Sequence, residues 1–363
     1  MKSIDKIKEI SMNKLKELYG NHIEHSILDK YKTEMEIIQN NHYEDTYLLL
    51  YLITKKAQAD NKKILLRSCG YSSFIAYLLG FSCINPIEYN ILFESFIDIE
   101  LNFVFDINKD YMKSMYNYIL EILDNASMEY LSNYNYEIRY NYNDMWSIKY
   151  NKCNITFSNL SVTSIMLMTL EKTTGIKYQN IDIKDKKLLE WVVENSLNKK
   201  DIEEPFEFGS KFTKQMINTI KPKTFEDLVI TSAFNRGTGI WQNNNEELIK
   251  THNINQLACN RDDVFLYLVG KGVNRKIADE LIKSLCEENT ALKDKTVWNK
   301  LVIDMEKHNI PQWYITSLGK IQYMLSKSNT YRRTIMSLWL AWYAIYYPKE
   351  FETTMKEVIE ELK

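Results

Sequence analysis

The sequence FIDIELNFVF occupies residues 96–105 and alternates apolar with polar side chains from Ile97 onward. An alternation of period two predicts a β-strand, and it places Asp98 and Glu100 on one face of that strand. By itself, this pattern favours two exposed carboxylates on an edge strand.

The segments on either side predict a small mixed sheet flanked by helices. Residues 3–58 repeat apolar positions every three or four residues, as helices do, and residues 64–66 form a short apolar strand. A helix is expected over residues 110–124. The period-two pattern of residues 134–158, which are rich in tyrosine and isoleucine, then predicts antiparallel strands.

The second half of the chain is dominated by helical periodicity. Glycine and proline mark breaks between the predicted helices at Gly175, Pro205, 221–222, 237–239, 270–272 and 310–311. The aromatic run at residues 339–347 has apolar positions at helical spacing and is expected to pack in the core. We therefore expect an α+β, mostly helical fold in which residues 1–160 contain the sheet and N-terminal helices. Residues 161–363 form a large helical domain.

The composition argues against several classes of protein. The chain has 46 basic and 48 acidic residues in 363, so the basic excess typical of nucleic-acid-binding proteins is absent at whole-chain level. Its ten glycines form no cluster of the kind that Rossmann and Walker phosphate loops need. Its five cysteines form no CxxC pair, which argues against a zinc site or a disulfide framework. No apolar run reaches the ~20 residues that span a bilayer, so no membrane association and a cytoplasmic location are expected.

Short segments in both halves carry a further pattern. Residues 206–212 (FEFGSKF) are similar to the motif EFGTKF. Residues 259–263 (CNRDD) are similar to the motif CRDD, and residues 310–315 (IPQWYI) are similar to the motif PEWYI. In the first half, residues 67–74, RSCGYSSF, are similar to RGSVGSSF, and residues 97–103, IDIELNF, to PDIDLNF. The motifs to which these segments are similar belong to the PolC-type DNA polymerase III alpha subunit of Gram-positive bacteria. The chain therefore resembles the palm and fingers of this C-family polymerase.

The resemblance implies an assignment for each part of the chain. Residues 1–160 correspond to a palm-like domain with N-terminal helices, and residues 161–363 correspond to a helical fingers-like domain. The stretch between Phe103 and Trp146 is too short for the family's thumb, so the thumb is expected to be absent.

The resemblance also implies a degenerate catalytic site. Polymerases of this family hold two Mg²⁺ ions with three aspartates, and Asp98 and Glu100 occupy two of the three positions. The third position falls near Thr156, and no acidic residue occurs between Asp144 and Glu171. The expected cofactor is therefore none, or weakly bound Mg²⁺.

Binding residues follow from the same resemblance. In the family the glycine-serine segment cradles the triphosphate of the incoming nucleotide, and Arg67, Ser72 and Ser73 belong to that segment here. In the helical domain the expected nucleotide-binding residues, at or near basic positions of the family, are Arg236, Arg261, Lys271, Lys320 and Lys327. Arg332 and Arg333 add a local basic pair that is expected to bind DNA. Arg236 lies in residues 232–238, SAFNRGT, where the family has SGLSHGT. The structural alternatives are a strand-to-helix turn for the first set and a solvated helix face for the second.

Together these features favour a catalytically impaired PolC-like pseudo-polymerase. Such a pseudoenzyme would bind DNA, nucleotide or replication proteins in DNA replication or its regulation, and the expected DNA is single-stranded or primer–template. One alternative is a minimal active Mg²⁺-dependent DNA nucleotidyltransferase whose third ligand is Asp106 or Asp110. Another is a protein-binding scaffold that mimics the replicase. The composition, low in glycine and rich in asparagine, lysine and isoleucine, fits an AT-rich mobile element such as a plasmid or phage.

Overall fold

A computed structural model describes residues 2–67, 69–89, 91, 93, 101–124, 136–141, 145–150, 153–197, 206–286 and 295–361. The chain divides into two compact units, Met1–Ser164 and Ile165–Lys363. The first unit contains a sheet with helices and the second is helical, so the α+β, mostly helical fold predicted from the sequence is confirmed.

The described part of the first unit contains the helices α1 (Ser3–Tyr19), α2 (His25–Asn40), α3 (Glu44–Ala59), α4 (Phe74–Leu78) and α5 (Lys109–Asp124). They form because apolar residues recur on one side, as in α3, where Tyr47, Leu50 and Ile53 are completely buried. Helix α1 packs against α3 and α4, and α2 packs against α4. The helices predicted over residues 3–58 and 110–124 are confirmed.

The sheet of the first unit has five described strands: β1 (Ile64–Leu66), β2 (Leu101–Ile107), β3 (Tyr136–Asn141), β4 (Met145–Tyr150) and β5 (Cys153–Asn159). Their order across the sheet is β1-β2-β5-β4-β3. Strands β2 and β5 are parallel, and the other neighbours are antiparallel. The mixed sheet and the antiparallel strands predicted over residues 134–158 are therefore confirmed.

Aromatic side chains hold the centre of this sheet together. The register aligns Phe105 of β2 with Phe157 of β5, and Phe157 with Trp146 of β4. The rings of Phe105 and Phe157 stack at 5.8 Å, and those of Trp146 and Phe157 at 4.2 Å. All three side chains are buried, so this row of rings fixes the register of the three central strands.

The described part of the second unit is built from helices. The described helices from the end of the first unit onward are α6 (Val162–Thr174), α7 (Lys186–Leu197), α8 (Lys211–Ile220), α9 (Phe225–Arg236), α10 (Glu246–Leu248), α11 (Arg261–Gly270), α12 (Arg275–Cys286), α13 (Lys295–Lys307), α14 (Gln312–Leu318), α15 (Lys327–Tyr346) and α16 (Pro348–Glu361). Helix α15 packs against α7, α9, α11 and α16. Its residues Trp339, Leu340 and Tyr343 are buried, which confirms the core packing predicted for the aromatic run.

Turn residues end the helices where the sequence predicted breaks. The predicted breaks at Gly175, 221–222, 237–239, 270–272 and 310–311 fall between helices, and Pro205 lies outside the described residues. Gly239 has φ +74°, and a Cβ there would lie 2.1 Å from the carbonyl oxygen of Lys320, so a side chain cannot be accommodated. None of the described helices is long and apolar enough to cross a membrane.

Candidate functional site

The two carboxylates predicted as metal ligands, Asp98 and Glu100, lie outside the described residues, so their role stays a prediction. The third predicted position, Thr156, lies in β5 and pairs with Val104 of β2. Strand β5 contains no acidic residue along its whole length. This strand therefore offers Mg²⁺ a threonine hydroxyl where the resemblance leads us to expect a carboxylate.

Asp106, near the end of β2, is a carboxylate in the described sheet, and it is completely buried. Ser158 Oγ donates to its Oδ1 at 3.1 Å, and Ser164 Oγ donates to its Oδ2 at 3.2 Å. The Nε of Arg67 lies 3.4 Å from Oδ1. Both carboxylate oxygens are thus used inside the protein, and Asp106 is not an open metal ligand.

The described strands do not by themselves supply the carboxylates that a two-metal arrangement requires, and Asp98 and Glu100 lie outside them. The other alternative ligand, Asp110, is exposed on the first turn of α5. Within the described ranges, no three histidine, cysteine, aspartate or glutamate side chains are grouped so that they could hold a metal ion. The alternative of a site completed by Asp106 or Asp110 therefore gains no support from the geometry.

The glycine-serine segment forms a tight turn between β1 and α4. Residues Cys69–Ser72 make a 3₁₀ turn, and Ser72 is buried. A Cβ on Gly70 would lie 2.6 Å from the Leu66 side chain and 3.2 Å from the ring of Phe103. Glycine at position 70 therefore allows the turn to pack closely on β1 and β2. This packing agrees with the structural alternative for the segment, a strand-to-helix turn.

Ser73 and the first amides of α4 are bonded to a buried carboxylate, Glu34 of α2. The Ser73 hydroxyl caps α4 by accepting from the Ala76 N–H at 2.9 Å, and it donates a short hydrogen bond to Glu34. The N–H groups of Phe74 and Ile75 donate to the Glu34 carboxylate at 2.8 and 3.1 Å. Burial raises the pKa of the Glu34 carboxyl to about 7, although these hydrogen bonds act to lower it.

A second buried carboxylate, Glu207, lies in the second unit and binds two arginines. Arg236 donates from Nε at 2.9 Å and from Nη2 at 2.8 Å, so its guanidinium contacts both carboxylate oxygens. Nη1 of Arg333 lies 3.3 Å from Oε2. Burial raises the pKa of Glu207, but the hydrogen bonds and charges of the arginines outweigh it, so the pKa lies below its ordinary value.

A third ion pair joins Lys327, at the start of α15, to Asp263 of α11 with Nζ and Oδ1 2.8 Å apart. The backbone N–H of Lys327 donates to Asp262 at 2.6 Å, and that of Arg261 donates to the carbonyl of Leu325 at 3.1 Å. Burial lowers the pKa of Lys327, but Asp263 raises it by more, so the ammonium is held in its charged form. The segment predicted to bind nucleotide thus links α11 to α15.

The remaining predicted cations contact separate partners. Nζ of Lys271 lies 5.8 Å from the centre of the Tyr267 ring, and Nζ of Lys320 donates to the carbonyl of Asn243 at 2.7 Å. Arg332 is buried in α15. Of the predicted site residues, Arg236 and Arg333 therefore bind the same carboxylate, that of Glu207.

Three acidic residues that contact predicted site residues, Glu34 at Ser73, Glu207 at two arginines and Asp263 at Lys327, were not themselves predicted. A signal existed for Glu207, because it stands between Phe206 and Phe208 in an apolar stretch where a carboxylate needs partners. No comparable signal marks Glu34, whose donors lie about forty positions further along the chain.

Comparison with known families agrees with this architecture. The family model described as the bacterial DNA polymerase III alpha NTPase domain matches residues 5–139. The model described as the bacterial DNA polymerase III alpha subunit finger domain matches residues 159–309. The two matches follow one another along most of the chain, which belongs to the bacterial DNA polymerase III alpha family.

Individual relatives narrow this to the PolC type, as the sequence motifs predicted. The chain is 31% identical over 200 residues to DNA polymerase III PolC-type of Caldanaerobacter subterraneus subsp. tengcongensis, covering 52% of this chain and 14% of the relative. It is 37% identical over 146 residues to the PolC-type enzyme of Oceanobacillus iheyensis, covering 39% and 10% respectively. The chain thus spans about a seventh or less of the length of these relatives.

Proposed function

We propose that this chain is a catalytically impaired PolC-like pseudo-polymerase that binds DNA in replication or its regulation. Residues 1–160 would act as a palm-like domain without a thumb, and residues 161–363 as a fingers-like domain. The observation that carries the proposal is that β5, the strand in which the resemblance places the third carboxylate near Thr156, contains no acidic residue. The engagement of Asp106 with two serine hydroxyls and Arg67 supports it further.

The expected ligands are single-stranded or primer–template DNA, with nucleotide and replication proteins as further partners. Mg²⁺ would be bound weakly by Asp98 and Glu100 or not at all, because two carboxylates do not complete a two-metal site. A plasmid or phage origin is our inference from the composition.

A primer-extension assay tests the loss of catalysis. The purified chain, a labelled primer–template, Mg²⁺ and all four deoxynucleotides are expected to give no extension above a protein-free control. Fluorescence anisotropy with the same DNA is expected to show binding that weakens steeply with salt, since phosphate contacts release counterions. If the wild type extends the primer and Asp98→Ala does not, the chain is instead a minimal active nucleotidyltransferase.

A protein-binding scaffold is the second candidate, and the internal pairing of Lys327 with Asp263 and of Lys320 with a backbone carbonyl favours it. Cations that are engaged within the protein are less available to DNA. A double variant with Arg261→Glu and Lys327→Glu distinguishes the two candidates. DNA binding should fall in this variant if the chain grips DNA through these residues, whereas unchanged binding of a purified replication protein would favour the scaffold.

A further inference from the structure

We propose that Arg236 and Arg333, mounted together on the buried carboxylate of Glu207, form a phosphate-binding site in the second unit. This inference rests on the proposed function for its ligand class and names the residues that would contact the ligand. Arg236 ends α9, Arg333 lies in α15, and Glu207 precedes α8. The site is therefore assembled from three separate parts of the unit.

The charge balance of these three residues favours an anion. Two guanidinium groups share one carboxylate, so Arg236, Arg333 and Glu207 together carry a net charge of +1. The side chain of Glu207 is only 4% exposed, whereas those of Arg236 and Arg333 are 44% and 35% exposed. The positive groups thus reach solvent while the negative group lies beneath them, and an approaching anion meets the arginines first.

The carboxylate holds the arginines in place before a ligand arrives. Ser232 Oγ donates to Glu207 at 3.1 Å, Asn235 Nδ2 donates to it at 3.3 Å, and the Glu207 N–H donates to Ser337 Oγ at 2.9 Å. These contacts fix the position of Glu207, and through it the direction of both guanidiniums. A preorganised arginine fork loses less side-chain entropy on binding phosphate, and its planar geometry suits two phosphate oxygens at once.

Neighbouring charges add to the attraction for an anion. Burial lowers the pKa of Arg333, and the charges of Arg236 and Arg332 lower it further against the opposing effect of Glu207. A bound phosphate would offset this repulsion among the guanidiniums. The Lys327–Asp263 pair offers no such excess, because one cation there meets one carboxylate.

The ligand is a phosphate group, which either the backbone of single-stranded DNA or a free nucleotide could supply. Two probes distinguish these sources: a labelled single-stranded oligonucleotide followed by anisotropy, and pyrophosphate followed by titration calorimetry. Each is measured on the full chain for the wild type, Arg333→Gln and Arg333→Lys. The control is Lys250→Gln, which removes one charge from an exposed pair with Glu247 on the surface of the same unit.

Arg333→Gln is expected to weaken binding of at least one probe roughly tenfold, the factor expected for one charged hydrogen-bonding contact. With the oligonucleotide, the slope of log affinity against log salt should fall by about 0.7, while Lys250→Gln leaves it unchanged. Arg333→Lys keeps the charge but loses the fork, so it should weaken binding without changing the slope. Loss of oligonucleotide binding alone assigns the site to the DNA backbone, and loss of pyrophosphate binding alone assigns it to free nucleotide.

The site is overturned if both Arg333 variants match Lys250→Gln with both probes, or if the wild type binds neither probe. Circular dichroism melting of each variant shows whether the fold is kept, and Arg333→Lys decides the question if Arg333→Gln unfolds. The proposed function and the phosphate-binding site are refuted by different results. Primer extension by the wild type would refute the pseudo-polymerase without affecting this site. Wild-type binding of both probes that is unchanged by the Arg333 substitutions would refute the site alone.

Discussion

Glu34 in the first unit and Glu207 in the second are both buried glutamates, yet their surroundings differ. Glu34 is bonded to two backbone N–H groups and the Ser73 hydroxyl, which are neutral donors. Glu207 is bonded to Arg236 and Arg333, which are charged. The pKa of Glu34 is raised to about 7, whereas the pKa of Glu207 is lowered.

The comparison shows that the type of partner, rather than burial, decides the charge state of these two carboxylates. Neutral hydrogen bonds recover part of the hydration that a buried carboxylate loses, but they do not match a cation at contact distance. The glycine-serine turn of the first unit is therefore anchored by a group that titrates near neutral pH. The arginine site of the second unit is anchored by a group that stays ionised.

Removal of Glu207 should have the largest effect on stability. Glu207→Ala leaves Arg236 and Arg333 close together without their carboxylate. Both guanidiniums keep contact with solvent, so we expect a cost of about 2–3 kcal/mol, below that of breaking a fully buried pair. Urea unfolding followed by circular dichroism measures this cost. Glu247→Ala is the matched control, because Glu247 pairs with Lys250 on the exposed surface and such pairs contribute less than about 1 kcal/mol. Equal costs for the two variants would contradict the anchoring role of Glu207.

Replacement of Glu34 by a neutral isostere should change how stability depends on pH. The folded-state pKa is raised, so the stability associated with protonated Glu34 is fully present below about pH 4.5 and is lost as pH rises to about 7. The free energy of unfolding of Glu34→Gln, relative to that of the wild type, should therefore rise by up to about 3 kcal/mol across this pH range and stay constant above it. Urea unfolding at several pH values between 4 and 8 measures the difference.

Glu207→Gln provides the contrast for this experiment. Because the pKa of Glu207 is lowered, the wild type should gain stability over Glu207→Gln as pH rises through the acid range, opposite in sign to Glu34. A difference between the wild type and Glu34→Gln that does not vary with pH would show that the Glu34 carboxyl titrates normally.

The smallest effect is expected at the Lys327–Asp263 pair, which is partly exposed on both sides. Lys327→Gln should cost about 1 kcal/mol, because solvent screens a partly exposed pair and Asp263 remains hydrated after the change. Thermal unfolding of this variant beside Lys250→Gln measures the cost. A loss as large as that of Glu207→Ala would mean that the pair is as isolated from solvent as the Glu207 site.

Much of the fold followed from local patterns in the sequence. Period-two alternation over residues 134–158 predicted the antiparallel strands, and glycine and proline predicted the helix ends, because both signals depend on nearby residues. The parallel pairing of β2 with β5 was not predicted as such. It joins residues about fifty positions apart, and no local pattern specifies it.

The site was predicted less completely. The motifs and the local basic pair predicted Arg236, Lys327 and Arg333 as binding residues, but they did not reveal that Arg236 and Arg333 share a carboxylate. Nor did they reveal that Asp106, proposed as an alternative ligand, is enclosed by Ser158, Ser164 and Arg67. Side-chain pairing depends on how elements pack, and periodicity carries no information about it.

The sequence by itself determined the family, the order of helices and strands, and the absence of an acidic residue from the segment that contains β5. These are properties of residue identity and spacing, which need no knowledge of packing. Only the tertiary structure decided which charges meet. Glu207 lies 29 positions from Arg236 and 126 from Arg333, and the packing of α9 against α15 brings them together. The Glu207 carboxylate is buried at that junction, and the two arginines stabilise its charged form.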